Sequence, residues 1–471
     1  MTLLAIARSA CADALALARL QRDGRAWAVV AWSTQLPDDP LSAFAHALGG
    51  GRTLLWHGSD WLIGTGEAVA EVCDGPGRGT HMAQELARLE SRCVIAIVPG
   101  GQGASAPRPP ALPCVLTAFS FEDHAPGPGH WGERLPGARL WLPRRLLWKQ
   151  GDGSGWTVVA LQVGADDAAP DTLADRLLAE PGLRATPQSA PVPWRPLGDG
   201  YAAMVEDAVS LIHDGAMRKV VLARACDERV PPGTTPTQVL ARLRRLGSDA
   251  STVYAHDLDD GGLFVGTSPE LLFAADGLMV SSMALAGTSR NDLSSPGDGL
   301  PGDELLSCTK ERKEHGVVVE HLVSVLRPRC APFAVPPAPH VRHLGSLLHL
   351  ETLLAAELRQ ADYLELLAAL HPTPAVCGLP TATATNYIAR HEHLHRGLYA
   401  GALGWLTPER CRVIVPLRGA ILRDAQARLF AGAGIIETSQ AADEVEEIEL
   451  KFSIMRQALG LAPGTAAAAP A

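Results

Sequence analysis

No CxxC pair occurs in this chain, and its nine cysteines are scattered. An odd, unspaced set of that kind argues against a disulfide framework and for reduced thiols in a cytoplasmic protein. No run of Lys and Arg appears, and 51 acidic residues outweigh 41 basic ones, for a formal net charge of −10. Nucleic acid and membrane are therefore not expected as partners. An anionic small molecule would have to be held by a local cluster or a metal. No uninterrupted apolar stretch reaches about 18 residues, so no transmembrane helix is expected. The N-terminal MTLLAIARSACADALALARL is apolar, but Arg8, Asp13 and Arg19 interrupt it. It also lacks a basic segment ahead of its apolar run, which argues against a signal peptide. No internal repeat is visible. AGAGII (Ala431 to Ile436) is not a GxGxxG opening a helix, which disfavours dinucleotide binding.

What is present is enough apolar sequence for a large core: 47% of 471 residues are hydrophobic and 20% charged. Residues 1–195 alternate short apolar runs with turns, such as WAVVAW, DWLIGTG, RCVIAIVPG, ARLWLPRRLLWKQ and GWTVVALQV. Runs of Val, Ile, Leu and Trp bounded by Gly, Pro or Asp read as strands. One short helix is expected over Thr80 to Arg92. The Pro-rich stretches Pro99 to Pro113 and Thr186 to Pro196 read as a connector and a seam. Residues 196–461 mix helices (Gly200 to Asp214, Asp303 to Leu326, one ending near His393, Ala442 to Leu459) with strands. Strands and helices without regular βαβ alternation point to α+β, or mixed α/β, over a Rossmann sheet. Residues 462–471, low in complexity, are expected to be a disordered tail.

Several residues stand where chemistry is plausible. KVVLARA (Lys219 to Ala225) is apolar on both faces, the mark of a buried strand. Desolvation at its mouth favours a neutral amine, so Lys219 is a candidate general base; a strand-end lysine that snorkels to water is the alternative. Glu270 follows a Ser-Pro break between two apolar strands, where a carboxyl would stay protonated and act as an acid; an exposed turn glutamate is the plainer reading. In the helix after Asp303, Glu314 shares the apolar stripe with Val318, His321, Leu322 and Val325. In the last helix Glu444, Glu447 and Lys451 share a face, though acids in a first turn also suit the helix dipole. Two helices each offering a carboxylate would suit Mg²⁺, which takes few carboxylates and keeps waters. His391-Glu392-His393-Leu394-His395 satisfies HExxH, but Arg396-Gly397 and a strand-like stretch follow at once, so the zinc reading is weak. LHPTPAVCGLP (Leu370 to Pro380) is a rigid loop, with φ fixed at Pro372 and Pro374, of the kind that shapes a site.

From Tyr201 to Leu459 the chain resembles the chorismate-utilising enzymes, and among them the isochorismate synthases. KVVLAR, GTSPELLF, ALAGTSR, the KxxxEH helix, LHLET, LHPTPAVCG, RGLYAGALGW, LRGAIL, AGAGII and the ExxExxxK helix occur in the family's order. The first half resembles the family only loosely, through LWLPRRLLWK. The resemblance implies one large two-sheet sandwich surrounded by helices and a Mg²⁺-dependent, reversible conversion of chorismate to isochorismate. Lys219 would activate water for attack at C2, and Glu270 would protonate the departing C4 hydroxyl. Glu314, Glu447 and Glu444 would be the metal residues. Arg418, Tyr399 and Gly432 would meet the enolpyruvyl carboxylate, and Lys451 the ring-carboxylate region. Gly287, Thr288, His349, Thr373, Ala375 and Gly378 would line the pocket. Lys219 together with Ala286, where an ammonia-using relative carries Lys, implies water as nucleophile. A salicylate synthase, releasing pyruvate from the same pocket, is the alternative. Glu311 and Cys308 depart from the family's more frequent Asp and Ser. A monomer without a glutamine amidotransferase subunit is expected.

Overall fold

The computed structural model describes residues 3–19, 26–47, 51–98, 110–124, 135–163, 200–259, 261–290, 302–344 and 347–462, with a few positions between 169 and 175. The seam at Thr186 to Pro196, most of the Pro99 to Pro113 connector and residues 463–471 of the tail lie outside the described residues.

Among the described residues seven strands come from the first half: β1 (Ala26–Ser33), β2 (Thr53–His57), β3 (Asp60–Cys73), β4 (Cys93–Val98), β5 (Val115–Phe119), β6 (Ala138–Lys149) and β7 (Gly155–Val163). Those of the second half are β8 (Lys219–Arg229), β9 (Thr252–Asp257), β10 (Leu263–Ser268), β11 (Leu271–Asp276), β12 (Met279–Arg290), β13 (His340–Leu344), β14 (Leu347–Glu357), β15 (Gly378–Leu379), β16 (Ala402–Leu406), β17 (Arg410–Ile414), β18 (Gly419–Arg423) and β19 (Gln426–Ile435). The helices are α1 (Leu3–Arg19), α2 (Leu41–His46), α3 (Arg78–Ser91), α4 (Tyr201–His213), α5 (Pro236–Leu246), α6 (Asp303–Ser307), α7 (Thr309–Leu326), α8 (Tyr363–Leu370), α9 (Thr381–His391) and α10 (Ala441–Leu459).

The long antiparallel ladder of β3 and β6 is the root of two limbs. One limb runs from β3 through β2, β9, β10, β18, β19 and β8 to the short β15. The other leaves the first part of β6 through β5, β16, β17, β11, β12 and β14 to β13. The second part of β6 pairs with β7, then β1, whose neighbour β4 is parallel to it. The fold is α+β, with helices packed around a large, mainly antiparallel sheet. Strand pairs β2–β9 and β5–β16 join residues 1–195 to residues 196–461 in one hydrogen-bonded system. One apolar core likewise spans both, holding Trp61, Trp141 and Trp156 together with Phe264, Phe273 and Phe452. A second cluster lies under α1, where Cys11, Ala14 and Leu15 meet Val30 and Val163.

The alternation in the first half is realised as strands, and the expected helix there is α3, begun two residues early. The single helix expected over Asp303 to Leu326 is instead two. Cys308 is extended (φ −65°, ψ 115°), which interrupts the i→i−4 ladder, and α7 starts afresh behind it. Helix α5 went unread although its signal is plain: Thr235 and Gln238 form a reciprocal capping box, with Pro236 at the first helical position. No helix among the described residues is long and apolar enough to cross a membrane.

Candidate active site

Residues of both limbs line one cleft. From the first limb come Val221 of β8 and Phe430, Ala431, Gly432 and Gly434 of β19; from the second, Leu285 to Thr288 of β12 and His349 of β14. Loops and helices close it with Glu270, Ala375, Tyr399, Arg418, Glu314, Glu447 and Lys451.

Lys219 starts β8 and is fully buried, as its two-faced apolar strand requires. Its Nζ lies 2.9 Å from Glu314 Oε1, an ion pair that lacks the angle of a hydrogen bond. Lys219 does not itself line the cleft; it meets the cleft through Glu314, which does. Gly434 of β19 explains how α7 comes so near: a Cβ there would collide with the Glu314 carboxylate and press on Lys219 Cε.

Glu270 is 4% exposed. Burial pushes its carboxyl up to about 8, and the positive charges of Lys219 and Lys451 only partly oppose this. At neutral pH it holds a proton. Its backbone is fixed: its N–H donates to Ser268 Oγ (3.1 Å) and its carbonyl accepts from Val415 N (3.2 Å). It is an acid in reach of the charge of a buried lysine.

Cationic and polar groups gather at one side. Arg418 Nη2 donates to His349 Nε2 at 2.9 Å. A guanidinium is donor only, so the imidazole proton is on Nδ1, which lies 3.1 Å from Thr288 Oγ1. Burial and the adjacent Arg418 hold His349 well below the usual imidazole range, consistent with a neutral ring. Arg418 itself is pushed down to about 10 by burial and then by Arg342. Arg418 (φ 45°) and Ala400 (φ 60°), both in the cleft wall, have left-handed backbone without being glycine, a cost that tends to be kept at functional sites. Lys451 Nζ donates to Gly432 O at 2.7 Å and pairs with Glu447 Oε1 at 2.7 Å.

The carboxylates test the metal expectation. Glu314 and Glu447 reach the cleft from α7 and α10. Glu311 anchors β12 by accepting from Thr288 N (2.7 Å), and burial followed by Glu314 raises it to about 7. Glu444 is 1% exposed, does not line the cleft, and is held by Lys310 Nζ at 2.9 Å. Among the described residues no three His, Cys, Asp or Glu side chains converge on one point. The expected trio is therefore not assembled, because each member is turned to its own lysine. The donor set still fits a hard cation: two cleft-facing carboxylates on facing helices, with two further carboxyls raised by burial and by neighbouring carboxylates.

Two other expectations change. Thr373 is buried and Gly378 (φ 144°) pairs with Val220 of β8; neither lines the cleft. A Cβ on Gly378 would strike Lys219 O, so this glycine lets the Pro-loop lie against the back of the Lys219 strand. The HExxH letters also resolve. His391 stacks on Tyr387 (4.2 Å), and Glu392 forms a fully buried ion pair with Arg396. Glu392 Oε1 accepts from Ala223 N (2.7 Å), while Arg396 donates to Val376 O and Val221 O, each at 2.7 Å. This pair welds β8 to the Pro-loop, and Arg396 lines the cleft. It was missed, although Glu and Arg at i, i+4 were the available signal.

Known proteins match this sequence and this fold. The family model described as chorismate binding enzyme matches residues 15–460. The salicylate biosynthesis isochorismate synthase of Pseudomonas aeruginosa is 34% identical over 401 residues, 82% of this chain and 81% of its own. The isochorismate synthase EntC of Escherichia coli K12 is 36% identical over 264 residues, 55% of this chain and 67% of its own. The solved structure of MenF, the menaquinone-specific isochorismate synthase of Escherichia coli, superposes with a TM-score of 0.72 at 24% identity. That superposition covers 96% of this chain and 100% of MenF, a likeness of fold. With its fold shared and its sequence matched almost from end to end, the chain is an enzyme of the chorismate binding family.

Proposed function

We propose that this enzyme is an isochorismate synthase. The observation that carries the reading is a cleft glutamate that keeps its proton at neutral pH, together with a fully buried lysine ion-paired to the cleft-lining Glu314. Lys219 in its amine form takes a proton from water as the water oxygen bonds to C2 of chorismate. The ring double bonds shift, the C4–O bond breaks, and Glu270 gives its proton to the departing hydroxyl, which leaves as water. One water enters and one leaves, so substrate and product are isomers and the reaction runs both ways. Arg418, held by His349, and Tyr399 both line the cleft and would meet a carboxylate of the enolpyruvyl group. Glu314 and Glu447 would hold Mg²⁺, which would supply neutralisation of the ring carboxylate. Ala286 leaves the wall of the cleft uncharged where a nitrogen-transferring relative would place an ammonium.

The test is a product assay. Purified enzyme, chorismate and Mg²⁺ should give a mixture of isochorismate and remaining chorismate, and EDTA should stop its formation. Salicylate with pyruvate would move the assignment to a salicylate synthase. No conversion would leave a binding role.

Glu447→Gln checks the metal residues separately. The substitution keeps size but removes a charged oxygen donor, and the Mg²⁺ concentration for half-maximal rate should rise by at least about tenfold. An unchanged Mg²⁺ titration takes Glu447 out of the metal shell.

A further inference from the structure

Each of the three carboxylates assigned to the metal is held by a lysine: Glu314 by Lys219 at 2.9 Å, Glu447 by Lys451 at 2.7 Å, and Glu444 by Lys310 at 2.9 Å. Lys219 and Lys451 have other work, in the proposed reaction and at the cleft wall. Lys310 has no place in the reaction. It is the second residue of α7 and is absent from the cleft lining, yet it crosses to α10 to reach a carboxylate that is only 1% exposed. Its charge is felt not only at Glu444 but at Glu311 and Glu314. Glu447, one turn beyond Glu444 on α10, adds to the crowding of negative charge there. Lys313, three residues on, points elsewhere and pairs with Glu437, both half-exposed.

We propose that Lys310 is the internal counter-ion of the metal site, a residue that sets divalent-cation affinity by competing for Glu444 and by opposing positive charge between α7 and α10. The proposal rests on the Mg²⁺ reading of these carboxylates. Its physical basis is simple. A dication entering between the two helices must displace or tolerate an ammonium already bonded there, and a buried carboxylate left without any cation is costly. Lys310 thus keeps the acidic pair of helices together without metal and weakens metal binding by the same contact.

The experiment is isothermal titration of Mg²⁺ into substrate-free enzyme, with thermal unfolding followed with and without the ion. Lys310→Met should bind Mg²⁺ about tenfold more tightly than the wild type, from loss of one nearby positive charge. It should unfold at lower temperature without metal and gain more from Mg²⁺ than the wild type gains. Lys310→Arg, which keeps the charge, should bind within about twofold of wild type. Lys313→Met, with the same change in net charge, should leave affinity unaltered. Unchanged or weaker binding by Lys310→Met overturns the proposal, as does equal tightening by Lys313→Met. If none of these proteins binds Mg²⁺, the metal assignment itself fails, a different result from wild-type and variant binding alike.

Discussion

Lys219→Ala should lower turnover by about three orders of magnitude or more while chorismate still binds within a few-fold of wild type. The reasoning starts from burial. Lys219 has no exposed surface, sits at the first residue of β8, and meets Glu314 across the close approach that Gly434 permits. The groups proposed to meet the substrate's carboxylate, Arg418, His349 and Tyr399, line the cleft, which Lys219 does not, and do not depend on it for their contacts. Removing the amine removes the group that takes the proton from water, and leaves those anchors standing. It also strands Glu314 without its partner, at a cost of a few kcal/mol when an ion pair is broken inside a protein. Lys219→Gln, which fills the same space, therefore accompanies it. Steady-state rates, calorimetric binding of chorismate and a melting curve separate the possibilities. Normal turnover in either folded variant would remove Lys219 from the chemistry. Loss of binding in both would make it an anchor for the substrate.

The way this site is divided between what the sequence announces and what only the fold supplies has a physical cause. Periodicity reports burial, so the two-faced apolar strand after Lys219 and the apolar stripe bearing Glu314 were legible from the letters, as was the α+β character of the whole. Partner choice across long sequence separation is not periodic. Nothing in KVVLARA says that Glu314 answers Lys219, or that Lys310 answers Glu444 across 134 residues. The HExxH stretch shows the converse. Its letters suit a metal helix, but α9 ends at His391, and the glutamate turns inward to Arg396 while His391 stacks on a tyrosine. Thr373 and Gly378 were placed in the pocket because the Pro-loop as a whole reads as a pocket wall. In the fold, Ala375 and Val376 face the cleft, and Gly378 backs onto β8 instead. The break at Cys308 falls in the same class, since a helical pattern can continue through a residue whose backbone does not.

Glu270→Gln should be nearly as damaging as loss of Lys219, and its pH behaviour distinguishes an acid from a spectator. The wild-type carboxyl, pushed up to about 8 by burial, is protonated across the neutral range and can give a proton to the leaving hydroxyl. The rate of the forward reaction should fall as pH rises through about 8. Glutamine keeps the shape and cannot act as that acid, so the rate should drop by about 10²–10⁴-fold and this alkaline limb should vanish from what remains. Stability should move the other way. The folded-state carboxyl titrates above its unfolded value of 4.5, so the folded chain holds a proton that the unfolded chain has released. Below about pH 4.5 the group has no effect; between there and about 8 it costs progressively more stability, and above about 8 the cost is constant. Removing the ionisable group should therefore stabilise the variant relative to wild type by roughly 5 kcal/mol at pH 9, and by almost nothing at pH 4. Denaturant melts at the two pH values measure this without reference to turnover. A variant that is slow yet shows no alkaline gain in stability would mean that Glu270 is ionised in the folded enzyme. It would then have to act through its charge, as an electrostatic partner of Lys219 and Lys451 across the cleft, and the proton for the departing hydroxyl would have to come from another group.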